Sequence, residues 1–161
     1  MMAELIFIKH ESLHSDLLDV ICDIKASAWD YSIEEHKKWV EKNINPNDIH
    51  VLLKENDTYV GYLNLIQTHV LSSDKKIILV LGIGNVCAKI KGKGYGSTLM
   101  KLLNNHLSLE NTKAILLCKV DLVDFYSKLG YTFNFKVKDN IYLMSINLDD
   151  SNFFTFIGDL F

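Results

Sequence analysis

The sequence predicts a single α/β domain of the mixed, α+β-like kind, with a central, largely antiparallel twisted sheet of about six or seven strands flanked by about four helices. Three observations predict it. Stretches of strand period and helical period follow one another in the order β-α-α-β-β-β-α-β-α-β-β. The 161 residues are the length of one domain, and 48% of them are hydrophobic, enough for one substantial core. A single proline, Pro46, and the lack of repeats or low-complexity segments argue against a disordered linker. The expected domain therefore spans 1–161, with a core over about 4–148 and an apolar tail at 151–161.

Taken in order, Leu5 to Ile8 is a short β-branched and aromatic stretch that suits a first strand. From Asp16 the apolar residues take helical spacing, with Leu17, Ile21, Ile24 and Ala28 on one stripe and Ser15 or Asp16 as cap. A second helix is expected over Ile33 to Asn43, closed by the turn-rich Asn45-Pro46-Asn47-Asp48. Ile49 to Lys54 and Tyr59 to Gln67 flank Glu55-Asn56-Asp57-Thr58 and read as a hairpin. After Ser72-Ser73-Asp74-Lys75 comes Lys76 to Val86, apolar at nearly every position, as for a central strand covered on both faces. Gly82 and Gly84 within it suggest a bulge or a close approach to the backbone. The loop Lys89 to Lys93 then leads into a helix from Gly94 to Leu109. Lys113 to Cys118 reads as a buried strand, Asp121 to Leu129 as a short helix ended by Gly130. Tyr131 to Lys138 and Ile141 to Leu148 form a final strand pair around Lys138-Asp139-Asn140.

The formal net charge of −3 gives no reason to expect nucleic acid or an anionic membrane as partner. Basic residues gather at Lys89, Lys91 and Lys93 and point to one anionic ligand. Cys22, Cys87 and Cys118 are too few and too scattered for a disulfide framework or a CxxC metal site; no metal is expected, and a cytoplasmic location is. The first residues show no basic region followed by an apolar stretch, so no signal peptide is expected, and Ile77 to Ile83 is too short to span a bilayer.

The segment Lys91-Gly92-Lys93-Gly94-Tyr95-Gly96-Ser97 sits between a strand and a helix. Its alternate glycines let the chain turn sharply and bring backbone N–H groups to a ligand. A helix N-terminus adds unpaired donors and partial positive charge, which suits a pyrophosphate, and the two lysines add full charges. A Walker A loop is excluded, because Gly92-Lys93 is followed by Gly94 rather than Ser or Thr. A dinucleotide fingerprint is excluded too: Gly96 falls one position early, and Leu116 and Leu117 occupy the region where the acidic ribose ligand belongs.

Val86 to Leu103 resembles the acetyl-CoA-binding motif of the Gcn5-related N-acetyltransferases, whose core pattern is Arg/Gln-x-x-Gly-x-Gly/Ala. Lys91 stands at the Arg/Gln position, Gly94 and Gly96 at the glycine positions, and Leu99 and Leu102 on the apolar face of the following helix. Asp124-Phe125-Tyr126-Ser127-Lys128-Leu129-Gly130-Tyr131 is similar to the family's late motif. With the element order, the resemblance covers about 4–148 and implies the acyl-CoA N-acyltransferase fold. Three departures are visible: Lys91 keeps a charge without the planar fork, Ala88 stands where many members have proline, and Lys119 and Val120 stand where an asparagine often precedes the late helix.

The resemblance implies that Val86 and Ala88 pair with the pantetheine arm of acetyl-CoA in the gap beside a splayed strand. Backbone groups of Lys91, Gly92, Lys93, Gly94, Tyr95 and Gly96 would cradle the pyrophosphate, with Ser97 at the helix start. The acceptor amine would attack the thioester directly. Tyr126 matches the tyrosine that protonates the departing thiolate, although Leu122, Phe125, Tyr126 and Leu129 also follow the spacing of a packed helix face. An alkyl amine with a pKa of about 10 must lose a proton before attack. The base stays open: His69, Asp74, Glu34, Glu35, His36, Asp121, Asp124 or a water chain, since Ile77 to Val86 carries no carboxylate. His106 reads as a structural or surface histidine, and Cys87 and Cys118 as buried thiols.

The segment Trp29 to His36 falls where this fold commonly builds its acceptor wall, yet the first reading of it is an ordinary helix connection with Trp29 and Trp39 packed inward. Phe153-Phe154-Thr155-Phe156-Ile157 is apolar enough to pack on the domain or on a second subunit, which makes a homodimer an open expectation. The function expected is acetyl transfer to the primary amine of a small molecule. The alternatives are acetylation of a protein N-terminus or lysine, and a non-catalytic CoA-binding regulatory module.

Overall fold

A computed structural model describes residues 2–148 and 154–161. The strands are β1 (Ala3–Lys9), β2 (Ile49–Glu55), β3 (Thr58–Ser72), β4 (Ile77–Ala88), β5 (Ala114–Lys119), β6 (Thr132–Lys138), β7 (Ile141–Ile146) and β8 (Phe154–Thr155). The helices are α1 (Ser15–Ala26), α2 (Ile33–Asn43), α3 (Tyr95–Leu109) and α4 (Val123–Lys128), with short 3₁₀ turns at His10–Ser12 and Val120–Leu122. Among the described residues the strands form one sheet in the order β1-β2-β3-β4-β5-β7-β6, with β8 on β3. β1–β2, β2–β3, β5–β7 and β6–β7 are antiparallel, and β4–β5 is parallel, Leu81 to Ile83 facing Ala114 to Leu116. The chain divides into two compact units, Met1–Ile66 with Asn85–Leu103, and Gln67–Gly84 with Asn104–Phe161.

In the first unit, α1 lays Ile21 and Ile24 on Leu52 of β2, Tyr62 of β3 and Cys87 of β4. The expected stripe is there, with Leu17 and Ala28 at its half-buried ends. The cap is not: the N-cap is His14, which makes no side-chain cap bond, and Ser15 already lies inside the helix. α2 begins at a full capping box, in which Ser32 accepts from the Glu35 N–H and the Glu35 carboxylate accepts from the Ser32 N–H. The β2–β3 connection is tighter than the sequence suggested. Asn56 and Asp57, at φ 47° and 65°, form a two-residue turn of the kind that matches strand twist.

The second unit packs Val70, Val80, Ile115 and Leu143 with Phe135, Val137 and the aromatic tail. Phe153 lies outside the described residues. Its neighbours Phe154 and Thr155 form β8 on Leu71 and Ser72, and Phe156 and Phe161 complete the same cluster, so the tail covers its own domain. It also adds a strand that the predicted order lacked. The expectation that Lys76 to Val86 is covered on both faces fails at its start, where Ile77 and Leu79 are 65% and 79% exposed. The interruption expected at Gly82 or Gly84 falls instead at Asn85, the residue of β4 with a left-handed φ, 55°.

A polar chain enters the first unit from its rim. His10 Nδ1 lies 2.9 Å from His50 Nε2, and His50 Nδ1 lies 2.7 Å from the Tyr62 hydroxyl. Burial, with smaller contributions from His10 and Lys25, pushes the His50 imidazole down to about 4. A folded pKa below the unfolded value means that the unfolded chain binds the proton more readily. The contribution is therefore fully present above about 6.5 and is lost as pH falls through about 4. Thermal melts should show a decline that starts near pH 6.5, above the range in which carboxylates protonate. His50→Gln should flatten that upper part; an unchanged slope removes His50 as its cause.

Candidate active site

The residues expected to hold a cofactor lie together in the first unit, on the last residues of β4, the turn that follows and the first turn of α3. Strand alternation puts Cys87 into the apolar cluster with Ile21, Ile24, Leu52 and Tyr62, and leaves Val86 and Ala88, both half-buried, on the opposite face. Lys89 then bonds back, its N–H donating to the Val60 carbonyl at 2.9 Å. The turn itself depends on Gly92 and Gly94, at φ 79° and 77°. A Cβ at either would meet no atom within 4 Å, so the need for glycine is conformational rather than steric.

α3 starts at Tyr95. Its first N–H groups have no acceptor within the helix and carry the positive end of the helix dipole. The Tyr95 hydroxyl bonds the Glu55 carboxylate at the end of β2, which holds the phenol above its ordinary value and ties the helix start to the sheet. The Tyr95 hydroxyl proton is thus committed to Glu55, while its backbone N–H lies at the helix start. Lys91 and Lys93 are exposed, whereas Lys89 is paired with Asp23 at 3.0 Å. Among the described residues, the cluster of three lysines read from the sequence is therefore two exposed charges and one ion pair. Gly96 and Ser97 are half-buried in the first turn of α3, and the buried stripe behind them is Leu99, Met100 and Leu103, with Leu102 half-buried beside it.

Tyr126 lies in the second unit, 6% exposed, its ring 5.0 Å from that of Phe125 and 5.8 Å from that of Tyr131, both edge to face. α4 ends at Gly130, φ 94°, where the Tyr131 N–H donates to the Tyr126 carbonyl at 3.1 Å. Tyr131 is buried and donates its hydroxyl to Asn104 Oδ1 at 2.7 Å, while Asn104 Nδ2 donates to the Leu129 carbonyl at 2.9 Å. Asn104 thus clamps the end of the late motif to α3. The motif's spacing gave no hint of it.

Several candidate bases are committed elsewhere. The Glu35 carboxyl sits below its ordinary range through its bonds to Ser32. Asp74 is held low by Ser72 and then Lys76 within a tight turn. His36 is buried, with Nε2 3.3 Å from the Trp29 carbonyl and its ring edge-on to Tyr31. Glu34, Asp121, Asp124 and His106 are exposed, and His69 is half-buried on β3. Burial pushes the Cys87 thiol up to about 12 and that of Cys118 to about 11, as for inert thiols. Trp29 is partly exposed rather than packed inward.

What sequence reasoning missed is a buried polar group beneath β4. Lys25 Nζ donates to Asn85 Oδ1 at 3.2 Å, and Asn85 Nδ2 donates to Asn64 Oδ1 at 2.7 Å. The signal was available. Lys25 stands one turn from Ile21 on the buried stripe, where a charge is out of pattern.

This architecture is that of the acyl-CoA N-acyltransferases. The chain is similar to an acyl-CoA N-acyltransferase from Pseudomonas aeruginosa, with 15% identity and a TM-score of 0.64 over 89% of this chain and 99% of that one. It is similar also to the PaiA N-acetyltransferase of Thermoplasma acidophilum in complex with coenzyme A, with 18% identity and a TM-score of 0.54 over 90% of this chain and 98% of that one. The catalytic domain of the Tetrahymena Gcn5 histone acetyltransferase in complex with coenzyme A gives 15% identity and a TM-score of 0.57 over 90% and 92%. No curated protein sequence matches the chain. The sequence pattern of the Acetyltransferase (GNAT) domain matches residues 9–150, and the chain belongs to that family.

The clamp can be tested directly. Tyr131→Phe keeps the ring and strands Asn104 Oδ1, and should cost about 1–2 kcal/mol in urea unfolding. A variant as stable as the parent would show that the Tyr131–Asn104 bond contributes nothing net.

Proposed function

We propose that the chain is an acetyl-CoA-dependent N-acetyltransferase that moves the acetyl group to the primary amine of a small molecule by direct attack, as one domain over 1–161. The observation that carries the reading is the turn of Gly92 and Gly94, left-handed at both positions, between β4 and the open N–H groups of α3, with Lys91 and Lys93 exposed beside it. Backbone donors, helix dipole and two ammonium groups fit a pyrophosphate. Two structural neighbours are complexes with coenzyme A, which supports the same occupant here. Three free, buried cysteines agree with a cytoplasmic location.

Bound there, acetyl-CoA would supply a thioester activated for attack by nitrogen. On this reading Lys91 to Gly96 hold the pyrophosphate, Ser97 stands at the helix start, and Val86 and Ala88 pair with the pantetheine arm. The amine nitrogen bonds the carbonyl carbon, the carbon–sulfur bond breaks, and Tyr126 donates its hydroxyl proton to the departing sulfur. The amine's own proton passes to water or to a side chain still free to take it. Glu35, Asp74 and His36 are the poorer candidates, since each already has a polar side-chain atom bonded.

Acetyl-CoA should raise the melting temperature by binding the native state, whereas ATP and NAD at matched concentration should do so weakly. Gly94→Val, which puts a β-branched residue at φ 77°, should abolish that shift. Equal stabilisation by ATP would overturn the assignment of the ligand.

Tyr126→Phe should lower kcat by roughly 10²-fold, read as amine-dependent thiol release, with acetyl-CoA affinity little changed. An unchanged kcat would remove Tyr126 from the mechanism. Tight binding without turnover across a broad panel of amines and peptides would favour a CoA-binding module instead.

A further inference from the structure

The buried polar groups of the first unit converge on one backbone residue. Asn85 is left-handed within an otherwise extended strand and directly precedes Val86. Its side chain is held from both sides, by the Lys25 ammonium on α1 and by the Asn64 amide on β3. Asparagine tolerates this conformation better than most residues, but a single left-handed residue re-aims the strand beyond it, and its rotation must be fixed for that aim to be reproducible.

Lys25 is an expensive way to fix it. The side chain is 2% exposed, with Nζ 3.9 Å from the Trp39 ring centroid and 5.9 Å from that of Trp29. Among the described residues no carboxylate pairs with it. A buried ammonium without an anion destabilises a fold relative to an apolar side chain of the same volume. Cation–π contact offsets part of that cost. Stability alone therefore does not account for the charge, whereas the geometry at Asn85 does.

We propose that Lys25 is a positioning residue: acting through Asn85, it fixes the left-handed turn of β4 and so sets the direction in which the backbone of Val86–Ala88 meets the pantetheine arm. The proposal rests on the reading of β4 as the cofactor strand. It carries a pH signature. Burial brings the Lys25 ammonium down to about 8, against weaker opposing contributions from Cys87 and Cys22. The titratable groups facing it are Cys22 of α1, Cys87 of β4 and His50 of β2. Both thiols are pushed up, and His50 is held down to about 4, so Lys25 is the member of the cluster that changes charge near pH 8. As pH rises through about 8 the ammonium becomes an amine and its bond to Asn85 weakens. Binding should fall over that window. Stability should rise, because a lysine with a depressed folded pKa costs stability below it.

The test is calorimetric titration of acetyl-CoA between pH 6.5 and 9, with thermal melts alongside, on the parent, Lys25→Met and Asn85→Gly. Lys25→Met keeps the volume on Trp39 and removes the charge; Asn85→Gly keeps the left-handed φ and removes the clamp. Both should bind about tenfold more weakly at pH 7 and lose the alkaline decline, with Lys25→Met at least as stable as the parent. Should Lys25→Met fail to fold, Asn85→Gly carries the same comparison. Parental affinity and an alkaline decline retained in both variants would overturn the proposal, as would a lower melting temperature with parental affinity. Gly94→Val separates the two failures. If it abolishes binding while the Lys25 and Asn85 variants bind like the parent, only the positioning role falls; if the parent itself takes up no acetyl-CoA, the cosubstrate reading falls and this proposal with it.

Discussion

Six residues, 89 to 94, separate the end of β4 from the first turn of α3. In that length the chain must leave a sheet, reverse and present helix N–H groups outward, which L-residues in the allowed regions do poorly. Gly92 and Gly94 make the reversal by adopting left-handed conformations in open surroundings. Three contacts within the first unit pin the two ends of this turn. Lys89 is fastened to β3 through the Val60 carbonyl and to α1 through Asp23, and Tyr95 is fastened to β2 through Glu55. The glycines thus choose the shape, and ordinary hydrogen bonds fix where it sits.

The same unit handles positive charge in two ways. Lys91 and Lys93 stand in water, where an ammonium is cheap to keep and ready to meet an anion. Lys25 is buried against two indole rings and one amide, where water cannot compensate it. The formal net charge of −3 conveys neither fact. A chain that is acidic overall presents a small basic rim, and a buried cation lies where composition cannot show it.

Legibility followed the range of the forces involved. α2 is found over the residues that periodicity and turn chemistry indicated, because its capping box and amphipathic face are encoded within a few residues. The glycine turn was legible for the same reason. The cap of α1 was misplaced because His14 takes the cap position without a side-chain bond, which leaves no local signature. Ile77 and Leu79 looked central because an apolar run does not report which faces a neighbour covers. The tail's role as a strand needed Leu71 and Ser72, some eighty positions away, and the Lys25–Asn85–Asn64 group spans three elements. Contacts that join distant segments are set by the fold as a whole, and no window of sequence contains both partners.

The late motif holds two buried tyrosines, and their surroundings divide them. The Tyr131 hydroxyl is spent on Asn104, and burial beside Tyr126 drives its phenol far above the ordinary value. A group in that state is a poor proton donor to anything else, and removing it would loosen the link from Asn104 to the Leu129 carbonyl. Tyr126 is packed by that same assembly, between the Phe125 and Tyr131 rings, with its carbonyl accepting from the Tyr131 N–H. The arrangement makes Tyr131 a support and Tyr126 the supported residue. Tyr131 is thus committed to tying the end of α4 to Asn104, and whatever Tyr126 does, it does from a ring packed edge to face against that committed tyrosine.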